Sequence, residues 1–298
     1  MPQSVAELID LLDLEEIEVG LFRARQPDTA LQRAFGGQVL AQALTAAART
    51  VVVTRVLHSL HAYFLVAGRT DMPMVYAVEV VRDGGSFSSR RVVARQGGQV
   101  IFYLSASFHE PEPGFDHQDP PPPDVPEPDA CPQLSEVLAA ATGRAASVWE
   151  REWGVLDVCY VGDSRPGGAL VDPRHPARMR VWVRTSGRLP DDRRLHQAAL
   201  AYASDLTLLS ASTVPHGVVV GVSVQAASLD HAMWFHRPFR ADEWLLYDQL
   251  SPSASSALGL STARLFADSV LVSTVAQEGL IRPVSGRRGP SGPPASRE

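Results

Sequence analysis

GGQVLAQALTAAART (Gly36–Thr50), followed directly by VLHSLHAYFLV (Val56–Val66), decides the fold of the first half of the chain. In the first stretch Val39, Leu40, Ala43, Leu44 and Ala47 recur at helical spacing in an alanine-rich setting, which predicts a helix with one apolar face. Its Gly-Gly start leaves room for close backbone approach. Three further strand-like runs come after Val66: MVYAVEVVR (Met74–Arg82), SFSSRRVVARQ (Ser86–Gln96) and VIFYLSASFH (Val100–His109). Asp83-Gly84-Gly85 and Gly97-Gly98 punctuate them, and such turn chemistry joins antiparallel neighbours. One helix followed by a meander packs most simply when the sheet wraps the helix and each buries one face.

The second half repeats this order. RRLHQAALAYASDLTLL (Arg193–Leu209) reads as a helix. Ala227–Phe239, Trp244–Pro252, Ser255–Ala267 and Val270–Ile281 read as four strands. The third strands share a start, SFSSRRVV against SASSALGL, and the last ones share a pattern, FYLSASF against VLVSTVA. A period this long is no solenoid repeat. It predicts a duplicated domain of α+β class, two helix-plus-antiparallel-sheet units in one chain, an arrangement called a double hotdog. Between them, Pro111, Pro113, Pro120–Pro123, Pro126, Pro128 and Pro132 exclude a regular helix or central strand. The predicted organisation is an N-terminal unit over 1–110, a linker over 111–133 and a C-terminal unit over 134–282. A Pro-, Gly-, Ser- and Arg-rich tail from Pro283 is expected to be disordered. Residues 134–192 fit the repeat less well, and VWVR with WVRTSG (Trp182–Gly187) predicts one extra strand there.

Composition narrows the chemistry. The net charge is −6, and all 27 basic residues are arginine. That balance leaves no footprint for nucleic acid, and an anionic substrate would need a local arginine cluster. The two cysteines, Cys131 and Cys159, are too few for a disulfide framework and point to a reducing, cytoplasmic compartment. The N-terminus carries acidic residues where a signal peptide needs a basic start, and Val5, Leu8, Ile9, Leu12 and Leu14 suit an amphipathic helix. No run approaches the ~20 apolar residues of a membrane span. There is no G-x-S-x-G nucleophile elbow, no phosphate-cradling glycine loop, no H-E-x-x-H and no paired cysteines for zinc.

Seven separated motifs, in order, resemble the acyl-CoA thioesterase II family. They are FGGQVLAQAL (Phe35–Leu44), LHSLHAYFL (Leu57–Leu65), RDGGSFSSRRV (Arg82–Val92), YASDLTLL (Tyr202–Leu209), SLDHAMWFHRPF (Ser228–Phe239), WLLYDQLSPSASSALG (Trp244–Gly259) and VAQEGLIR (Val275–Arg282). The resemblance implies a double hotdog that hydrolyses acyl-CoA without a metal or organic cofactor. It places a catalytic trio on Asp205, Ser228 and Gln277. Ser228 departs mildly from the family's usual threonine and keeps the hydroxyl. Each of the three alone would read as a structural residue, and only their joint presence in matching motifs carries the assignment.

Chemically the trio suits direct attack by water. A carboxylate can accept the water's proton, and Ser and Gln both donate and accept hydrogen bonds. Gly36 and Gly37 are candidates for an oxyanion site at a helix start, whereas His58, Arg90 and Arg91 are candidates for substrate contact. His58 and His61, three apart, share a face only if their strand bulges. Asp230 and His231, as strand neighbours, are expected to point to opposite faces. Val56–Val66 and Met233–Phe235 are expected to line an acyl channel. The two units are expected to pair sheet edge to sheet edge within the chain, with one active site per chain and further association into a dimer or tetramer. Two alternatives stand beside hydrolysis: a hotdog enoyl-CoA hydratase or dehydratase, which needs an Asp/His pair on one unit, and an acyl-CoA-binding protein without turnover.

Overall fold

The computed structural model describes residues 1–119, 121–170, 176–220 and 223–284. The N-terminal half contains α1 (Val5–Leu12), β1 (Glu15–Glu18), β2 (Leu21–Ala24), α2 (Gly36–Arg49), β3 (Val56–Phe64), β4 (Met74–Asp83), β5 (Phe87–Gln96) and β6 (Gln99–His109). Then come α3 (Leu134–Thr142), α4 (Ala146–Trp153), β7 (Leu156–Asp163), β8 (Arg178–Thr185) and α5 (Arg193–Ser204). The last strands are β9 (Val224–Ser228), β10 (Asp230–Phe235), β11 (Leu245–Ser255), β12 (Leu258–Ala267) and β13 (Val270–Pro283). The sheet runs β1-β2-β4-β5-β6-β3-β10-β13-β12-β11-β8-β7, with β9 on β13 beyond the end of β10.

Both predicted helices form, and each lies in the concave face of its half of the sheet. From Gly37 to Ala48 α2 is buried except at Thr45, and α5 is buried from His196 to Ser204. The halves join edge to edge as expected: β3 pairs antiparallel with β10, with Leu60 opposite Met233 and Ala62 opposite His231. The helices run antiparallel against each other, so the start of α2 meets the end of α5. A Cβ on Gly37 would overlap the carbonyl oxygen of Tyr202, which shows how closely the two backbones approach there.

Four features depart from the sequence reading. A short hairpin, β1–β2, extends the N-terminal edge; its four-residue strands are too short for a periodic signal. Two helices, α3 and α4, stand where no element is expected, with one strand, β7, beyond the predicted β8. The α5 helix ends at Ser204 rather than Leu209, and a 3-10 segment, Leu208–His216, takes over. β13 reaches Pro283, which pairs with Val224; Pro is tolerated at such a terminus because its missing N–H is not needed. The remainder of the predicted tail, 285–298, lies outside the described residues, as does Pro120 of the linker.

Among the described residues the linker's regular structure is confined to a 3-10 turn at Pro128–Ala130. The segment runs over the outer face of the C-terminal sheet. Trp182 donates its indole N–H to the Pro126 carbonyl at 2.9 Å. Gln118 bonds the carbonyl of Ser269 and the amide of Leu271. This cover explains why Leu246 and Phe266, on the outer side of their strands, are buried. The equivalent N-terminal face is uncovered, with Tyr63 48% exposed.

Candidate active site

Asp205 closes the C-terminus of α5. The last turn loosens there: the Asp205 amide bonds the Ala203 carbonyl, and Ser204 Oγ donates to the Ala201 carbonyl at 2.9 Å. Tyr247 O–H holds the Ser204 carbonyl at 2.8 Å. These bonds satisfy carbonyls that a helix end leaves without partners. They fix Asp205 with its side chain 5% exposed and turned toward the start of α2.

The predicted trio converges. Ser228, the last residue of β9, donates its hydroxyl to Asp205 Oδ1 at 3.0 Å. Gln277 on β13 donates from Nε2 to Asp205 Oδ1 and to Ser228 Oγ, the latter at 2.8 Å. A carboxylate only accepts, so it dictates which way the Gln277 amide faces. A helix end, a strand end and a mid-strand residue thus meet at one oxygen.

Gly36 and Gly37 bring the first half of the chain to this point. Asp205 Oδ2 lies so near Gly36 that a Cβ there would sit 2.5 Å from it. The Gly37 amide hydrogen-bonds the carboxylate. Asp205 therefore stands between two helix ends of opposite polarity: the negative end of α5 disfavours its charge, and the positive end of α2 favours it. Burial dominates and pushes its pKa up to about 6, against the opposing bonds from Gln277, Ser228 and Gly37.

His231 is the neighbour that sequence reasoning missed. Strand alternation separates it from Asp230, as expected: Asp230 turns away to accept the Glu278 amide at 2.7 Å. The inward ring of His231 then lies 3.9 Å from Asp205 Oδ1 through Nδ1, with Nε2 2.9 Å from Ser204 Oγ. Burial drives its pKa down to about 3, so the imidazole is neutral. The helix end that carries Asp205 is 26 residues upstream of His231 (231 − 205), and no local pattern reports that contact.

His58, Arg90 and Arg91 do not join the trio. A register shift between Leu57 and Ser59 does create the bulge that puts His58 and His61 on one side. His58 bonds Ser107 Oγ at 2.8 Å. It lies six residues before Phe64, whose ring neighbours Gly36, or roughly 20 Å along the strand. Arg90 is buried and occupied: it bonds Thr50 Oγ1 and carbonyl, the carbonyls of Arg82 and Ser89, and Asp83. Alternation turns Arg91 outward, over the Tyr103 ring.

A cavity of about 830 Å³ reaches Leu206 and Thr207, the two residues that follow Asp205. Leu206, Thr207 and Phe35 line one side, the 3-10 segment contributes Ser210, Thr213 and Val214, and α3, α4, β7 and β8 add residues such as Leu138, Trp149, Val158 and Met179. Phe35 bridges site and cavity, edge-on to Tyr202 at 5.2 Å and to Trp153 at 6.2 Å. An acyl channel is expected from the sequence along Val56–Val66 and Met233–Phe235. β3 and β10 are paired with each other, and none of their residues lines the cavity. Both thiols are free, and burial raises their pKa values, Cys159 being also pushed up by the neighbouring Cys131. Among the described residues no cluster of His, Cys, Asp and Glu is placed to hold a metal ion, and no helix is long and apolar enough to cross a membrane.

Comparison with known proteins agrees with this architecture. A sequence profile described as acyl-CoA thioesterase matches residues 171–280, and one for the acyl-CoA thioesterase N-terminal domain matches residues 25–109. Acyl-CoA thioesterase 2 of Haemophilus influenzae is 34% identical over 284 residues, covering 95% of this chain and 99% of that protein. The crystal structure of acyl-CoA thioesterase II TesB2 from Mycobacterium marinum superposes with a TM-score of 0.79 at 44% identity, over 93% of this chain and 98% of its own. A hot dog fold protein from Alicyclobacillus acidocaldarius, 20% identical, shares the fold with a TM-score of 0.75, over 93% and 98% of the two chains.

Fold and relatives define the class, a thioester hydrolase built as a double hotdog. The chain belongs to the acyl-CoA thioesterase family. Residues 110–170, which supply α3, α4 and β7, fall between the two profile matches.

Proposed function

We propose that the chain hydrolyses acyl-CoA to a free fatty acid and CoA by direct attack of water, with Asp205 as general base. One observation carries the reading: Asp205, Ser228 and Gln277 meet at a single carboxylate oxygen beside the start of α2. The attacking water bonds Asp205 and Ser228 next to Gly36. Gln277 clamps both. As the water oxygen bonds to the thioester carbon, its proton passes to Asp205. The C–S bond then breaks, and Asp205 returns the proton to the departing thiolate. The Gly37 amide is committed to Asp205, so the Gly36 amide and the positive end of α2 are assigned to the developing oxyanion.

The pseudo-equivalent position at the other end of the helix pair has different chemistry. There Arg194, at the start of α5, donates to the carbonyls of Ala48, Val51 and Val52. The residue that caps the end of α2, where Asp205 caps α5, is Thr50, which supports one active site per chain. Titration of free thiol during incubation with a saturated acyl-CoA tests the function. Release lost in Asp205→Ala and Gln277→Ala is the expected outcome; undiminished release in both sinks the site, and no release at any chain length sinks the function. The assay also separates hydrolysis from enoyl-CoA hydration, for which Asp205 and His231 are the Asp/His pair that the sequence did not reveal.

Two further results are expected. Asp205 must be ionised to accept a proton, so kcat/KM should fall as pH drops through about 6. Ser228→Ala removes a bond that lowers this pKa, and should move the acid limb to higher pH. The second concerns the cavity, to which we assign the acyl chain. Val158→Phe would fill it from the β7 wall. On palmitoyl-CoA kcat/KM should drop about 100-fold, and on butyryl-CoA by no more than about twofold; equal losses on both would remove the acyl chain from this cavity.

A further inference from the structure

The inner face of the C-terminal sheet is apolar at Leu245, Ala263, Leu265 and Val275. Gln249 on β11, Ser261 on β12 and Gln277 on β13 break that pattern, and each is 0% exposed. Ser261 stands directly opposite Gln277, and Gln249 stands opposite Ala263. Ser261 therefore lies between the two glutamines, across from one and diagonal to the other, within reach of both long side chains. Gln249 Nε2 donates to Thr207 Oγ1 at 2.8 Å. Among the described residues Gln277 Oε1, Ser261 Oγ and Gln249 Oε1 have no hydrogen-bond partner. A buried polar group without a partner is costly, and three within reach of one another point to a common partner.

The geometry says where the Gln277 oxygen points. Its nitrogen faces Asp205 and Ser228. Ser228 belongs to β9, on the opposite side of β13 from β12. In a planar amide the oxygen and nitrogen lie on opposite sides of Cδ, so Oε1 faces β12 and Ser261. The donor inventory closes with one water. Its two hydrogens go to the oxygens of Gln277 and Gln249, and it accepts the Ser261 hydroxyl proton. Buried waters typically make about three such bonds.

We infer that a buried water bound by Ser261, Gln249 and Gln277 locks the Gln277 amide with its N–H groups toward Asp205, which makes Ser261 and Gln249 positioning residues for hydrolysis. This rests on the proposed role of the trio. The lock matters because each turnover transiently protonates Asp205. A free Gln277 could then turn its oxygen to that acid and be misaligned for the next attack. A water donating to Oε1 removes this alternative.

The test is a high-resolution crystal structure of the full chain, with decanoyl-CoA kinetics for Ser261→Ala, Ser261→Thr and Gln249→Met. Ordered density within hydrogen-bond distance of all three oxygens is expected. Ser261→Ala and Gln249→Met should each lower kcat about tenfold at unchanged KM. Ser261→Thr, which keeps the hydroxyl, should restore most of kcat, an effect that a packing role alone would not give. No density between the three side chains overturns the inference, as does full kcat in Ser261→Ala. Should Gln277→Ala itself retain full kcat, the trio assignment fails instead.

Discussion

Asp205→Asn is expected to abolish hydrolysis and to stabilise the protein at the same time. Loss of the proposed general base should lower kcat by about 1,000-fold or more, the upper part of the range for such groups. The stability gain follows from the same burial. Folding raises the Asp205 pKa from 3.8 to about 6. The stability linked to this group is therefore complete below pH 4 and is lost as pH rises through 6. Above pH 7 the buried charge costs about 2–3 kcal/mol. Asparagine carries no charge, and its Oδ1 can accept the same hydrogen bonds from Gln277 and Ser228. Denaturation at pH 8 should show a variant about 2 kcal/mol more stable than the parent, and the difference should vanish by pH 4. A variant equally stable at both pH values would mean that Asp205 is not desolvated in the free protein. The destabilising charge is then what the protein tolerates for a base poised near neutrality.

Gly37→Ala should produce the largest loss of stability. Helix propensity alone favours alanine by about 1 kcal/mol. The added methyl, however, would overlap the Tyr202 carbonyl and come into the Phe35 ring. A backbone oxygen in a buried helix cannot step aside as a flexible side chain can, so α2 and α5 must separate. A cost of about 3 kcal/mol or more is expected, a large part of the 5–15 kcal/mol that holds a typical domain together. Activity should fall as well, because the shift withdraws the Gly37 amide from Asp205. Gly85→Ala is the control: a Cβ there meets nothing within 4 Å, and its melting temperature should match the parent's. If Gly37→Ala also melts like the parent, the helices do not approach as closely as described.

The residues differ in how far they could be read in advance. Both long helices and the strands after them were legible because their apolar spacing is local. The edge-to-edge join was legible through the fold, because hotdog units usually pair their sheet edges. The trio was legible only through motif resemblance; neither the spacing nor the composition of Asp205, Ser228 and Gln277 signals a shared oxygen. α3 and α4 escaped because each is short, and α4 holds Trp149 and Trp153 toward a cavity rather than a packed core. Ser261 and Gln249 escaped because isolated polar residues in strands normally signal the solvent side.

By itself, then, the sequence determined two helix-and-sheet units, their order and their separation by a proline-rich segment. These depend on the periodicity of neighbours along the chain. Only the tertiary structure decided that the start of the first helix faces the end of the second, with Gly36 against Asp205. It alone placed His231 beneath the carboxylate, withdrew Arg90 into a structural network and opened the cavity beside α3, α4 and β7. The reason is physical: burial, pKa and hydrogen-bond partnership depend on which groups exclude water from one another, and here those groups come from segments that no local repeat connects.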